Sequence, residues 1–306
     1  MKFISIVLLM ILLPFRVMSM EQGTEVNWRD YDNMVQIRGY DAQGRLKLCT
    51  GTTISGRFIL TAAHCIKNLR SGELVTKRGN SNIPFALNYI DPTDNEVEST
   101  GDIALIKLIN GTRTVKHKNI NFFPDLTQNR VRSGQRVRVF GMGGSTPVKL
   151  EFIWMITSNS LWNTQINGMP IYSGGTSFGD SGGAWLNYDN EIIAPHSHTL
   201  DTINTESASN LYFARDFLLQ TINGWHFPTL IDVPKHQRID ITVQSLHVSS
   251  TVDQAYTSGD VIIIGGTCRL FTTIKPFQTC TYGVLSCGKP GKIHLGNGQR
   301  ILINRS

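Results

Sequence analysis

The sequence predicts an all-β protein in which two strand-built halves are followed by one helix and a small β-rich domain. Three observations lead there. Short apolar or alternating runs recur between turn formers through most of the chain. Helical period is confined to Leu211–Asn223. Beyond Trp225 glutamate disappears while short β-like runs continue to the end. At 306 residues the chain can hold two modest hydrophobic cores, or one large core with an appendage.

In chain order, Lys2, the apolar run Phe3–Phe15 and then Val17, Met18 and Ser19 read as a secretory signal peptide over residues 1–19. The run is short for a membrane span. Its removal takes away Lys2 and Arg16, leaving 27 basic against 23 acidic side chains, a net of +4 from a formal +6. That balance argues against a nucleic-acid partner. The mature protein is expected to be secreted or periplasmic, monomeric and not inserted in a membrane.

Met34–Arg38, Lys47–Ile54 and Phe58–Leu60, between turns at Asp41–Gly44 and Ser55–Gly56, read as the first strands of a barrel. Asn88–Thr100 reads as a polar loop. Its Asp91, Asp94, Glu96 and Glu98 suit a solvated loop better than a calcium loop. Asn110–Asp125 reads as a basic crossover, and the second half opens at Arg132–Gly143. There Val137 and Val139 share one strand face, with Arg136 and Arg138 on a solvated one. Ala184–Leu186 and Glu191–Ala194 form a hairpin around Asn187–Asn190. Leu211–Asn223 carries an apolar stripe and Gly224 is its expected stop. A chain join near Phe227 and Pro228 then leads into residues 225–306, with eight basic and four acidic side chains.

The chemistry centres on Gly179, Asp180, Ser181, Gly182, Gly183 and Ala184. A serine hydroxyl is a weak nucleophile until a base stands beside it and donors face the charge that develops on the attacked carbonyl. Glycines on both sides of Ser181 permit a turn that aims the amides of Gly179 and Ser181 at one point, a candidate oxyanion hole. A base and its orienting acid are available: His64 follows Thr61, Ala62 and Ala63, and Asp102 heads the apolar run Ile103–Ile106.

These three stretches, in the order His64, Asp102, Ser181, resemble the signature segments of the chymotrypsin and trypsin-like serine proteases over roughly Met20–Asn223. The resemblance implies a chymotrypsin-like double six-stranded β-barrel with a C-terminal helix over residues 20–224, and a serine endopeptidase working through an acyl-enzyme. His64 would be the general base, Asp102 its orienting acid and Ser181 the nucleophile. It also implies a disulfide between Cys49 and Cys65. Cys268, Cys280 and Cys287 leave one pair and one thiol, with the choice open. The lack of cysteines near Ser181 resembles bacterial members of the family. Gly141, Met142 and Gly143 stand where the family often has Gly-Trp-Gly.

In the resembled family a new N-terminus inserts beside the aspartate preceding the serine. Here that implies Met20 as the inserting residue, released by signal removal, and Asp180 as its partner, although Met-Glu-Gln-Gly departs from the usual motif. Gly175, six residues before Ser181, stands where an aspartate selects lysine or arginine, so trypsin-like specificity is not expected. Thr176 and His196 resemble the hydroxyl and imidazole of secreted bacterial glutamyl endopeptidases, which implies a preference for glutamate or aspartate at P1, the residue before the scissile bond. A substrate carboxylate in a partly dry pocket needs such donors. Ser197 is expected to support Asp102, with His198 and Thr199 at the pocket mouth. The alternatives are an apolar P1 preference and an inactive protease-fold binding protein. No zinc-like cysteine and histidine spacing occurs, and the chemistry requires no metal or cofactor; the partners are protein or peptide substrates.

Overall fold

A computed structural model describes residues 20–83, 88–91, 101–108, 114–160, 164–200 and 205–305. The expected signal peptide lies outside these residues, as do Asp94, Glu96 and Glu98. Among the described residues the chain is mostly β. No helix there is long and apolar enough to cross a membrane.

The first half is a seven-stranded antiparallel sheet. Its order is Gly79–Ile83, Leu69–Thr76, Met34–Asp41, Leu46–Ile54, Phe58–Thr61, Ala104–Lys107, Asn88–Ile90. Asn88–Ile90 is thus a short edge strand where the sequence predicted loop, because it finds a partner in Ala104–Ile106 across the sheet. Phe58–Thr61 is buried along its whole length, so its apolar run needs no alternation.

The second half closes on itself. Leu150–Ser158, Gln165–Pro170, Thr205–Ser209, Ile192–Leu200, Ala184–Leu186 and Arg136–Gly141 form a ring of six strands, since the last pairs back onto the first. Thr24–Val26 adds a seventh strand outside that ring by pairing with Leu150–Phe152. Closure satisfies every edge of the six. Arg138 is not simply solvated. Its guanidinium lies 5.2–5.9 Å from the rings of Tyr31, Phe140, Phe152 and Trp154 and donates to the Tyr31 hydroxyl at 2.8 Å.

The helix is shorter than its sequence pattern, running Arg215–Ile222, because Leu211–Ala214 forms turns with Phe213 and Ala214 amides donating to Asn210 and Leu211 carbonyls. Asn223, in the left-handed region at φ 36°, ends it one residue before the expected glycine.

After Gly224 come two four-stranded sheets around a separate core that includes Trp225, Phe227, Ile241, Tyr282 and Ile301. A Cys268–Cys280 disulfide joins a short helix to the strand Thr279–Leu285, and Cys287 is a free, exposed thiol. These sheets are welded to the preceding chain. Leu246 and Phe277 enter the same buried cluster as Trp28, Phe123 and Phe140. Buried His226 accepts from the Ser55 amide at 3.2 Å and donates through Nε2 to the Asn121 carbonyl at 3.0 Å. Gln244 both accepts from the Phe123 amide and donates to the Phe123 carbonyl, at 3.0 and 2.7 Å. Such a seam orders polar side chains that a tethered domain would leave in water.

Candidate active site

Three elements meet at Ser181. The segment after Ala62 turns into a single helical turn, Ala63–Ile66, which presents His64 at the end of an all-buried strand. Asp102 enters from the segment leading into Ala104–Lys107 and is buried. His64 Nδ1 lies 2.8 Å from Asp102 Oδ2, and the His64 amide donates to Asp102 Oδ1 at 2.9 Å. The Ser197 hydroxyl adds a bond of 2.6 Å to Asp102 Oδ2. Burial by itself would raise the Asp102 carboxyl. The bond from the His64 ring, its charge, and the Ser197 hydroxyl outweigh that and hold it down to about 2. The acid is thus ionised and fixes the imidazole with a proton on Nδ1.

Ser181 sits on a turn that only glycine permits. Gly179 has φ +101° and Gly182 φ +81°. A Cβ on Gly182 would collide with Thr61 Oγ1 and the Thr50 carbonyl, and one on Gly183 with the Phe140 carbonyl. Thr50, unremarked in the sequence, ties the first half to this turn. Its amide donates to the Ser181 carbonyl at 2.8 Å and its hydroxyl to the Gly179 carbonyl at 2.9 Å. The amides of Gly179 and Ser181 have no acceptor among the described residues. Ser181 Oγ reaches the Ser197 carbonyl at 3.5 Å, and no hydrogen bond joins it to His64 Nε2. The structure therefore assembles His64, Asp102 and Ser197 tightly, and leaves Ser181 beside them with its hydroxyl turned to the adjacent strand.

Asp180 is fully buried and accepts from the Gly143 and Ser177 amides, each at 2.8 Å. Burial pushes its carboxyl up to about 7, those amides offset part of the rise, and Glu151 adds to it. No cationic group among the described residues pairs with it. Met20 is also buried, among Val137, Val139 and Ile153, while Glu21 and Gly175 exchange main-chain hydrogen bonds at 3.0 and 3.2 Å. No ion pair or hydrogen bond links Met20 to Asp180.

Thr176, His196 and Thr199 come together, with an unforeseen fourth member. The Thr176 hydroxyl lies 3.0 Å from both His196 Nε2 and Thr199 Oγ1. Glu206, its side chain 0% exposed, accepts from the Thr176 amide at 2.9 Å, the Thr176 hydroxyl at 2.6 Å and the Thr199 hydroxyl at 2.8 Å. His196 stacks on Trp185 and is held neutral, chiefly by burial. His198 is half-buried and 3.1 Å from the Ser197 hydroxyl. Glu206 carried no motif; only its register opposite Thr199 brings it here.

Cys49 and Cys65 are joined by a disulfide that staples the His64 turn to the strand Leu46–Ile54. With His64 they form the described grouping with metal-like proximity, but two of its three ligand atoms are in the S–S bond.

A family profile for trypsin matches residues 22–214. Among solved structures, the VesB protease of Vibrio cholerae aligns over 94% of this chain and 100% of its own, at 15% identity and a TM-score of 0.52. The secreted serine protease VesC from the same organism aligns over 92% of this chain and 70% of its own, at 15% identity and TM-score 0.52. The scabies mite inactivated protease paralogue S-I1 covers 65% of this chain and 98% of its own, at 17% identity and TM-score 0.56. At these identities the likeness is one of fold.

Proposed function

The chain belongs to the trypsin family, and from that premise we propose that it is a secreted serine endopeptidase. The observation that carries this reading is the Asp102–His64 pair beside a glycine-built turn whose Gly179 and Ser181 amides are unused. His64 accepts the Ser181 proton through Nε2 as Oγ attacks the carbonyl carbon, and the two amides bind the oxyanion. Asp102 stabilises the imidazolium, which returns the proton to the leaving amine; water then releases the acyl group by the same relay. A rotation of Ser181 Oγ from the Ser197 carbonyl toward His64 completes the geometry, as catalytic hydrogen bonds commonly tighten only with substrate bound.

Removal of residues 1–19 is proposed to free the Met20 amine for Asp180, whose buried carboxyl has no cation beside it among the described residues. The protease unit then spans residues 20–224, with 225–306 as a second, β-rich unit.

An acidic P1 preference depends on Thr176 and His196 being free to receive a substrate carboxylate. Glu206 already engages Thr176 and lies 3.7 Å from His196 Nε2, which favours the alternative of an apolar P1 preference. Gly175, Ser197, His198 and Thr199 remain the proposed lining.

A second reading, an inactive binding protein, draws on the absent His64–Ser181 bond and on the inactivated paralogue of the same fold. A serine-reactive phosphonate decides between them. The endopeptidase labels at Ser181 and the Ser181→Ala chain does not; a folded, correctly processed wild type that resists labelling and cuts no peptide would leave the binding protein.

A further inference from the structure

We propose that Glu206 is an internal occupant of the specificity pocket, filling with the chain's own carboxylate the donor set that would otherwise hold an acidic substrate side chain, and so restricting P1 to small uncharged residues. The proposal rests on the endopeptidase reading.

The hydrogen inventory of the cluster points one way. Trp185 Nε1 donates to His196 Nδ1 at 3.4 Å, so the single proton of the neutral imidazole is on Nε2. Nε2 then donates to Thr176 Oγ1, which frees the Thr176 hydroxyl proton for Glu206 Oε2. Thr199 sends its own proton to the same oxygen, and the Thr176 amide serves Oε1. The Thr176 amide and both threonine hydroxyls are thus committed to Glu206, and the His196 Nε2 proton to Thr176 Oγ1, which leaves none of these four donors for a substrate carboxylate. The Glu206 carboxylate in turn has three direct donors and no exposed surface, so a substrate cation finds no open face on it.

Position makes this cluster a floor rather than a distant core network. Thr176 lies on the segment that leads into the Ser181 turn, whereas Thr199 lies on the strand Ile192–Leu200, whose Ser197 carbonyl faces Ser181 Oγ. The Glu206 carboxylate ties these two walls together. It also lies against Gly175, where an added Cβ would come within 3.2 Å of Oε1. A long P1 side chain meets this bar of hydrogen bonds, and an acidic one meets a like charge with no donor to spare.

The test uses the processed full-length chain and matched peptides differing only at P1. Wild type is expected to cut after alanine or serine far better than after glutamate or lysine. In Glu206→Ala the donors are released and space opens, and the ratio of kcat/KM for glutamate over alanine should rise by about a hundredfold, the order expected on removing a juxtaposed like charge. Glu206→Gln keeps the volume and should leave long side chains excluded. Wild-type cleavage chiefly after lysine, lost in Glu206→Gln, would make Glu206 an open counter-ion and overturn the proposal. Wild-type cleavage after glutamate overturns it as well, whether or not any variant folds. Calorimetric binding of N-acetyl-glutamate to Glu206→Ala, and not to wild type, reads the donor cluster without cleavage. Phosphonate labelling of Ser181 separately reports on the endopeptidase reading, so loss of labelling and wrong selectivity are distinct failures.

Discussion

Asp180 and Asp102 are two buried carboxylates driven in opposite directions by what surrounds them. Asp102 has the His64 ring, the His64 amide and Ser197 as donors and stays ionised. Its folded pKa is depressed, so its contribution is present above about 4 and fades as pH falls toward 2. Replacing Asp102 by Asn should lower kcat by roughly 10⁴ while leaving KM little changed, since the imidazole loses its tautomer and its counter-charge. Asp180 has amides but no cation among the described residues, and its pKa is raised. Its stabilising influence is therefore present below about 4 and lost as pH rises toward 7. A chain beginning at Met20 should recover that loss at pH 8. Denaturant unfolding is expected to show it as more stable than the unprocessed chain by about 3 kcal/mol, the order expected when a buried unpaired carboxylate gains its cation. Asp180→Asn should erase the difference; an unchanged gap in that variant would remove Asp180 from the activation proposal.

At the level of elements, the Ser181 turn is built by contacts from strands far away in sequence. Thr50 contributes its amide to the Ser181 carbonyl and its hydroxyl to Gly179, and receives the Met142 amide at 2.9 Å. Thr50→Val keeps the shape but orphans two buried polar groups. About 1–3 kcal/mol of stability should be lost, with labelling of Ser181 slowed because the oxyanion amides are no longer held in register. The Cys49–Cys65 bond closes a loop with a sequence separation of 16 around the His64 turn. Its removal by a double Cys→Ala substitution is expected to cost about 3 kcal/mol in thermal or chemical denaturation. Much of this level could be read in advance from local pattern. The strands at Met34, Leu46, Phe58 and Arg136 and the hairpin at Ala184 follow from apolar runs between turn formers. The helix start did not, because Asn210 organises turns before it, and Asn88–Ile90 became a strand only through its partner Ala104–Ile106.

At the scale of the whole molecule, the C-terminal sheets behave as part of one folded body. Leu246 and Phe277 pack into the core shared with Trp28 and Phe140, and His226 is locked neutral between the Ser55 amide and the Asn121 carbonyl. A chain ending at Asn223 should therefore expose that core and lose cooperative unfolding, rather than yield a stable minimal protease. Burial holds the His226 pKa at about 3 against the Asn121 bond that favours its charge. Its stabilising effect is thus full above the ordinary value of 6.5 and declines as pH falls through the range down to 3. Between pH 6.5 and 4.5 this single group should account for roughly 2–3 kcal/mol of lost stability. His226→Gln should flatten that part of the pH profile in denaturant titrations, and an unaltered slope would assign the acid sensitivity elsewhere.

Sequence by itself determined the fold class, several strands and the motif residues, because apolar period, turn chemistry and the glycines flanking Ser181 are local constraints, whereas Leu69–Thr76, Leu150–Ser158, Gln165–Pro170 and Thr205–Ser209 took their place only through their partners across the sheets. It also placed His64, Asp102 and Ser181 in candidate roles, since so few side chains suit that chemistry in that order. Tertiary structure decided what surrounds them. Glu206 carries no local signal and meets Thr176 only through strand register, yet it takes the Thr176 amide and hydroxyl protons and leaves the His196 Nε2 proton to Thr176 Oγ1. The seam at His226 and Gln244 is likewise invisible in sequence, because a buried histidine or glutamine reads as polar surface until a distant backbone arrives to satisfy it.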